Sequence, residues 1–178
     1  KADTEAAFSR GAEHARKQMI GMVGQDQLVF FFPKGIKVRR ELQNSHSSYW
    51  AEGFPDEPWL AEDLDNMRKS HVYVAEGESD ALRLWYEMEK DECVISIPSA
   101  SWTPSPEMCF RIGAYRTVIL CFDGDEAGRK ATKKIGDLLK QHAPKSELLR
   151  LEMPDGQDVC SLEEKEFKKI LDNPVKFA

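Results

Sequence analysis

The sequence predicts an α/β protein with a mainly parallel sheet flanked by helices, preceded by a small mixed α+β subdomain with a basic face. Two observations carry the larger part. A short apolar run, a carboxylate, a glycine and a helical pattern follow one another at His71 to Met88, and the same succession returns at Val118 to Ala131. Strands that alternate with helical patterns predict parallel pairing, because a parallel crossover needs a helix to span it. A third observation carries the smaller part: two strand-like runs separated by Pro33-Lys34-Gly35 read as a hairpin. The division falls at residues 1–68 and 69–178.

Taken in order, residues 3 to 24 look helical, with Ala6, Ala7, Ala12 and Ala15 set among charges. Gln27 to Phe32 is an apolar and aromatic strand. From Ile36 to Leu42 the residues alternate, Ile36, Val38 and Leu42 against Lys37, Arg39 and Arg40. Alternation throws Lys37 and Arg39 onto one face. Basic residues on an exposed strand are ordinary; the same face also suits nucleotide phosphates or a template backbone. Asn44 to Trp59, with Gly53, Pro55 and Pro58, reads as a loop plus a short strand. Trp50 and Trp59 are candidates for stacking on bases, although tryptophan more often packs.

The second part opens with Val72, Tyr73 and Val74, a strand that ends at Glu76 and Gly77. Ser79 or Asp80 is a candidate cap for the next helix, whose Leu82, Trp85 and Met88 recur at helical spacing. Cys93 to Ile97 is a further strand, leading into Pro98-Ser99-Ala100-Ser101-Trp102, and Pro106 to Ile112 a short helix. Val118 to Phe122 reads as a buried strand that breaks at Asp123-Gly124-Asp125. Glu126 to His142 then forms a helix with Ala127, Ala131, Ile135, Leu138 and Leu139 on one stripe, and Gly128 permits its close approach to the strand. Strand-like Leu148 to Leu151 leads to Met153-Pro154-Asp155-Gly156-Gln157-Asp158, and Ser161 to Lys169 is helical by composition.

An Asp-Gly turn with a helix cap accounts for Asp123 to Asp125 taken alone. The set is harder to dismiss. Glu76, Asp123 and Asp125 lie at strand ends and Asp80 in a first helical turn, and open α/β sheets bind ligands at that edge. Unpaired negative charge there is costly, and a hard divalent cation that prefers oxygen relieves it. Pro154 to Asp158 offers two more carboxylates, or simply a Pro-Asp-Gly turn. Arg129 and Lys130 lie in the first turn of their helix, placed to steady the carboxylates, to touch phosphates or only to face solvent.

Composition excludes several classes. Hydrophobic residues make up 41% and charged residues 31%, an ordinary globular balance, and no apolar run of about 18 residues is present to span a membrane. Cys93, Cys109, Cys121 and Cys160 form no C-x-x-C pair, and His14, His46, His71 and His142 keep neither zinc-ligand nor triad spacing. Free thiols fit a reducing, cytoplasmic setting. Net charge is −6, but residues 1–40 hold eight basic against four acidic residues and the rest of the chain 17 against 27. Any affinity for DNA is therefore local to the front of the chain. The chain opens K-A-D-T-E, with neither Met nor a signal-like segment, as an excised fragment would.

The motifs E-G-E-S-D-A-L at Glu76 to Leu82, F-D-G-D-E-A-G-R-K-A at Phe122 to Ala131 and P-D-G-Q-D at Pro154 to Asp158, in this order, resemble the TOPRIM domain and, within it, the DnaG-type and phage primases. The D-G-D-x-A-G form is the primase version; the D-x-D-R-E-G of type I topoisomerases is absent. The basic hairpin, followed by S-H-S-S-Y-W, resembles the subdomain that precedes the TOPRIM fold in phage primase–helicases. Two departures stand out: the loop Pro98 to Trp102 lacks the glycine primases often keep there, and Cys160 stands where they commonly carry a further aspartate.

The resemblance implies a DNA primase core that makes short RNA primers on single-stranded DNA from NTPs. Glu76, Asp123, Asp125 and Asp158 would hold Mg²⁺ or Mn²⁺, Glu76 acting as ligand or general base. Asp80 would order the metal's water shell or orient Glu76. Lys37, Arg39, Arg40 and Arg129 would bind nucleotide or DNA. A replicative helicase, fused or separate, and a zinc-binding module outside this chain are the implied partners, with no membrane. Two alternatives use the same residues differently: a TOPRIM nuclease, and a module that grips single strands or a helicase without catalysis.

Overall fold

The computed structural model describes residues 20–22, 27–32, 35–42, 45–53, 55–65, 70–88 and 92–177. The chain divides into two compact units, Lys1–Trp59 and Leu60–Ala178.

In the first unit, β1 (Ile20–Met22), β2 (Gln27–Phe32), β3 (Gly35–Leu42) and β4 (Ser45–Gly53) form an antiparallel sheet in that order. The expected hairpin is β2 and β3, in register from Gln27–Arg40 to Phe32–Gly35. Two expectations change. Residues 20–22, placed in a helix by composition, instead pair as a strand with Leu28–Phe30; the rest of that helix lies outside the described residues. The segment after residue 44 is a nine-residue strand rather than mostly loop, because β3 offers it a full ladder of main-chain partners. Residues 33–34 of the expected turn also lie outside the described residues, and Gly35 opens β3. Lys37 and Arg39 share a face and are half-buried, Lys37 opposite Trp50 with its Nζ 5.6 Å from the ring centroid. Phe32 meets the same ring edge-on at 5.0 Å. Trp59 is buried against Phe30, so packing is its role.

The second unit holds a five-stranded sheet in the order β6-β5-β7-β8-β9. Its strands are β5 (His71–Ala75), β6 (Cys93–Ser96), β7 (Thr117–Cys121), β8 (Glu147–Arg150) and β9 (Val175–Lys176). All pairs are parallel except β8–β9. Every residue of β6 and β7 is buried, as expected of parallel strands covered on both faces. A short 3-10 helix (Ala61–Asp65) precedes the sheet, and four α-helices connect or follow its strands: α1 (Glu78–Glu87), α2 (Pro106–Ile112), α3 (Glu126–His142) and α4 (Glu164–Leu171).

Local chemistry explains these bounds. Pro106 suits the first turn of α2, and Ser105 Oγ caps it by accepting from Met108 N at 3.1 Å. Asp125 caps α3, accepting from Gly128 N at 2.7 Å. Helix α1 begins on Gly77 with no side-chain cap, so neither Ser79 nor Asp80 serves that role. Its fully buried apolar residues are Ala81 and Leu84, while Leu82, Trp85 and Met88 are half-buried. Along α3 the buried stripe is Gly128, Ala131, Ile135, Gly136 and Leu139; Ala127 is exposed and Leu138 half-buried. Among the described residues no helix is long and apolar enough to cross a membrane.

Chain order and sheet order together fix where a ligand can enter. From β5 the chain moves outward to β6, then returns to place β7 on the other side of β5. The strand order therefore reverses between β5 and β7, the position at whose carboxyl ends open α/β sheets bind their ligands.

Candidate metal-binding active site

Glu76 leaves the end of β5 and Asp123 follows the end of β7, so both stand at this switch point. Asp123 N donates to Glu76 Oε2 at 3.2 Å. Gly124 and Asp125 follow, Asp125 exposed at the head of α3. The motif's glycines are steric requirements. A Cβ on Gly124 would collide with the Pro154 carbonyl oxygen, and one on Gly128 with that of Asp123, so Gly128 does permit the close approach expected of it.

The space at Gly124 is filled by the third acidic loop, residues 151–161. Gly124 N donates to Gln157 O at 2.8 Å, and Gly156 N donates to Gly124 O at 3.0 Å. Arg129 adds a side-chain tie, its Nη1 donating to Gly124 O at 2.6 Å and to Asp155 Oδ1 at 3.0 Å. The Asp155 side chain is almost fully exposed, so that ion pair is a weak, exchangeable one. Asp158 closes a turn of its own: Ser161 N donates to Asp158 Oδ1 at 2.6 Å. Among the described residues Lys130 pairs with Glu126 on the helix surface.

Electrostatics show which acidic residues gather. Burial pushes the Asp123 carboxyl up to about 8, and the charges of Glu76, Asp80, Asp158 and Asp125 push the same way. Glu76 is raised first by burial and then by Asp125 and Asp80, against the lowering effect of its bond from Asp123 N. Three segments distant in sequence thus bring Glu76, Asp80, Asp123, Asp125 and Asp158 into one field. Asp80 is only 7% exposed and accepts from Cys160 N at 3.1 Å. Lys37, Arg39 and Arg40 lie on β3 of the first unit.

These donors are all carboxylate oxygens, the chemistry a hard divalent cation takes. Among the described residues no group of three or more His, Cys, Asp or Glu side chains forms a ready-made ion cage.

Two contributors escaped the sequence reading. Arg83 on α1 donates from Nη1 to Val159 O at 2.6 Å and to Cys160 O at 3.0 Å. Its spacing from Asp80, three residues along one helix, was the available signal. Lys134 on α3 donates to Ala100 O at 3.3 Å and Ser101 O at 3.0 Å, so the glycine-free loop after β6 is fastened to the helix. Burial lowers the pKa of that amine.

Comparison with known proteins agrees with this architecture. A family model described as Toprim-like matches residues 73–162, just over half of the chain. No curated protein sequence matches. Among solved structures, a DNA primase domain from Pseudomonas aeruginosa aligns with a TM-score of 0.65 at 18% identity, covering 89% of this chain and 57% of that one. The DnaG primase catalytic domain bound to ssDNA aligns at 0.63 and 18% identity, covering 94% and 60%. The primase fragment of the bacteriophage T7 primase-helicase protein aligns at 0.61 and 17%, covering 90% and 68%. The chain thus shares the fold of these structures and spans about three-fifths of the first two. The matched stretch holds Glu76, Asp123 and Asp158, and the chain belongs to the Toprim-like family.

Proposed function

We propose that this chain is the catalytic core of a DNA primase, joining ribonucleotides on a single-stranded DNA template with Mg²⁺ or Mn²⁺. The observation that carries the reading is the convergence of four carboxylates, Glu76, Asp80, Asp125 and Asp158, on Asp123, whose own carboxyl is pushed up to about 8 by burial and by their charges. Glu76, Asp123, Asp125 and Asp158 would hold the metal. When bound, it would neutralise polyphosphate charge while a 3′-hydroxyl attacks the α-phosphorus and pyrophosphate departs.

The chain's own residues do the rest. Glu76, half-buried and raised in pKa, either ligates or accepts the proton of the attacking hydroxyl. Asp123 and Asp125 are held by the knitted Gly124 turn, so their spacing is set before substrate arrives. Lys37, Arg39 and Arg40 would grip template or nucleotide phosphates, Trp50 offering an aromatic surface beside Lys37. Arg129 exchanges its exposed partner Asp155 for a phosphate. One relative is by name part of a primase-helicase protein and another is bound to ssDNA, which supports single-stranded DNA and a replicative helicase as partners at the replication fork. Choice of a start sequence would need a zinc-binding module outside this chain.

The test is extension of a supplied dinucleotide on single-stranded DNA with labelled NTPs and either metal. Extension that Asp123→Ala abolishes supports the primase. Loss of the template strand without extension makes the protein a nuclease. Single-strand binding with neither activity makes it a binding module.

A further inference from the structure

The loop bearing Asp158 is anchored on two sides. One anchor is the pair of main-chain bonds to Gly124 described above; the other is helix α1. We infer that Arg83 is a positioning residue: with Asp80 it clamps the main chain of Val159 and Cys160 onto α1 and thereby sets the direction in which Asp158 presents its carboxylate. This rests on the reading that Asp158 ligates the metal.

The clamp has both polarities. Arg83 Nη1 serves two successive carbonyls, Val159 O at 2.6 Å and Cys160 O at 3.0 Å. Asp80 Oδ1 accepts the N–H of the same Cys160 at 3.1 Å. Both side chains lie on one face of α1, three residues apart. The guanidinium lies over the ring of Phe167, a fully buried residue of α4, its carbon 4.6 Å from the ring centroid. Charge-assisted bonds from a planar guanidinium fork are better oriented than those of an ammonium, so lysine replaces it only in part.

Between the two anchors, Asp158 keeps little freedom. One carboxylate oxygen takes the Ser161 N–H, and Ser161 Oγ lies 2.9 Å from both the nitrogen and the carbonyl oxygen of Asp158. The outward oxygen is then aimed by the path of the main chain, and Arg83 fixes that path. The clamp also accounts for Cys160. It holds position 160 by its N–H and C=O, groups that every residue type supplies, and the side chain there is exposed, so the aspartate that primases commonly carry is not needed for these bonds.

The experiment is Mn²⁺ binding to the full chain, followed by the loss of free Mn²⁺ signal in electron paramagnetic resonance, with circular dichroism confirming the fold of each variant. Arg83→Gln weakens Mn²⁺ binding by about 10- to 100-fold, the range for residues that orient metal ligands. Arg83→Lys, which keeps charge and much of the packing and remains testable if the glutamine variant unfolds, falls between that and wild type. Cys160→Ala binds as wild type. In the double variant Arg83→Gln/Asp158→Asn, the second change adds little to the first, which a general loss of stability would not produce. Wild-type Mn²⁺ affinity in folded Arg83→Gln and Arg83→Lys, alongside a weakened Asp158→Asn, overturns the clamp. Wild-type affinity in Asp158→Asn overturns the ligand assignment beneath it, and the inference with it.

Discussion

The antiparallel sheet of the first unit carries its polar side chains on strand faces, whereas the parallel sheet of the second carries them at strand ends. The difference follows from burial. Strand β3 alternates, with Val38 buried, Lys37 and Arg39 half-buried and Arg40 exposed, so charge can sit along its whole length. Strands β6 and β7 are buried on both faces and leave charge to their ends, where the acidic cluster takes the carboxyl edge. A face is aimed by register, and the irregularity between Ile36 and Lys37 shows how one residue re-aims it. An edge is aimed by where strands stop and by how their loops are tied. The first arrangement suits a long, repetitive ligand gripped at many points, the second a single reacting centre.

Breaking the edge should cost most. Asp123→Ala is expected to reduce nucleotide extension by on the order of 10³-fold, read in the dinucleotide assay, because it removes the central carboxylate of the cluster. Gly124→Ala comes next. Its methyl meets the Pro154 carbonyl, so we expect a loss of about 2 kcal/mol, a fall in melting temperature of roughly 4–8 °C, and weakened metal binding as the third loop is displaced.

The edge also predicts a pH signature. The folded protein holds the Asp123 proton up to about pH 8, far above the ordinary carboxylate value of 3.8, so folding binds a proton that the unfolded chain releases. Stability from this group is full below about pH 4 and is lost as pH rises through about 8. Metal-free protein should therefore melt progressively lower across that window, Asp123→Asn should flatten the slope, and Mg²⁺ should raise the melting temperature more at alkaline than at acidic pH. Calorimetry at several pH values decides it.

Breaking the face should be milder and uniform. Lys37→Ala and Arg39→Ala are each expected to lower single-strand affinity without changing sequence preference and to reduce the salt slope by about one phosphate contact. Fluorescence anisotropy across a salt series tests this. Smallest of all, Lys130→Ala removes only an exposed i,i+4 pair with Glu126, and its effect on stability should stay within about 0.5 kcal/mol.

What could be read from sequence follows the same division. Strands β5 and β7, and helix α3 from Glu126 to His142, were legible because burial and helical period write themselves into side-chain types. So was the gathering of Glu76, Asp80, Asp123 and Asp125, because the succession of apolar run, carboxylate and glycine occurs twice, whereas Asp158 read equally well as part of a turn. Strand β4 was not, because its polar S-H-S-S stretch pairs through main-chain groups that every sequence possesses. The knitting of Gly124 to the third loop and the Arg83 carbonyl contacts escaped for that reason too: in both, the acceptor is backbone.

The exchange of hydrogen bonds between Gly124 and residues 156–157 has one more consequence. Each loop's amide ends on the other's carbonyl, so the two loops can admit solvent only in a shared opening event. Hydrogen–deuterium exchange at Gly124 and Gly156 would then report one common protection factor. That factor would belong to the buried strand β7 and not to the surface turn in which Gly156 sits.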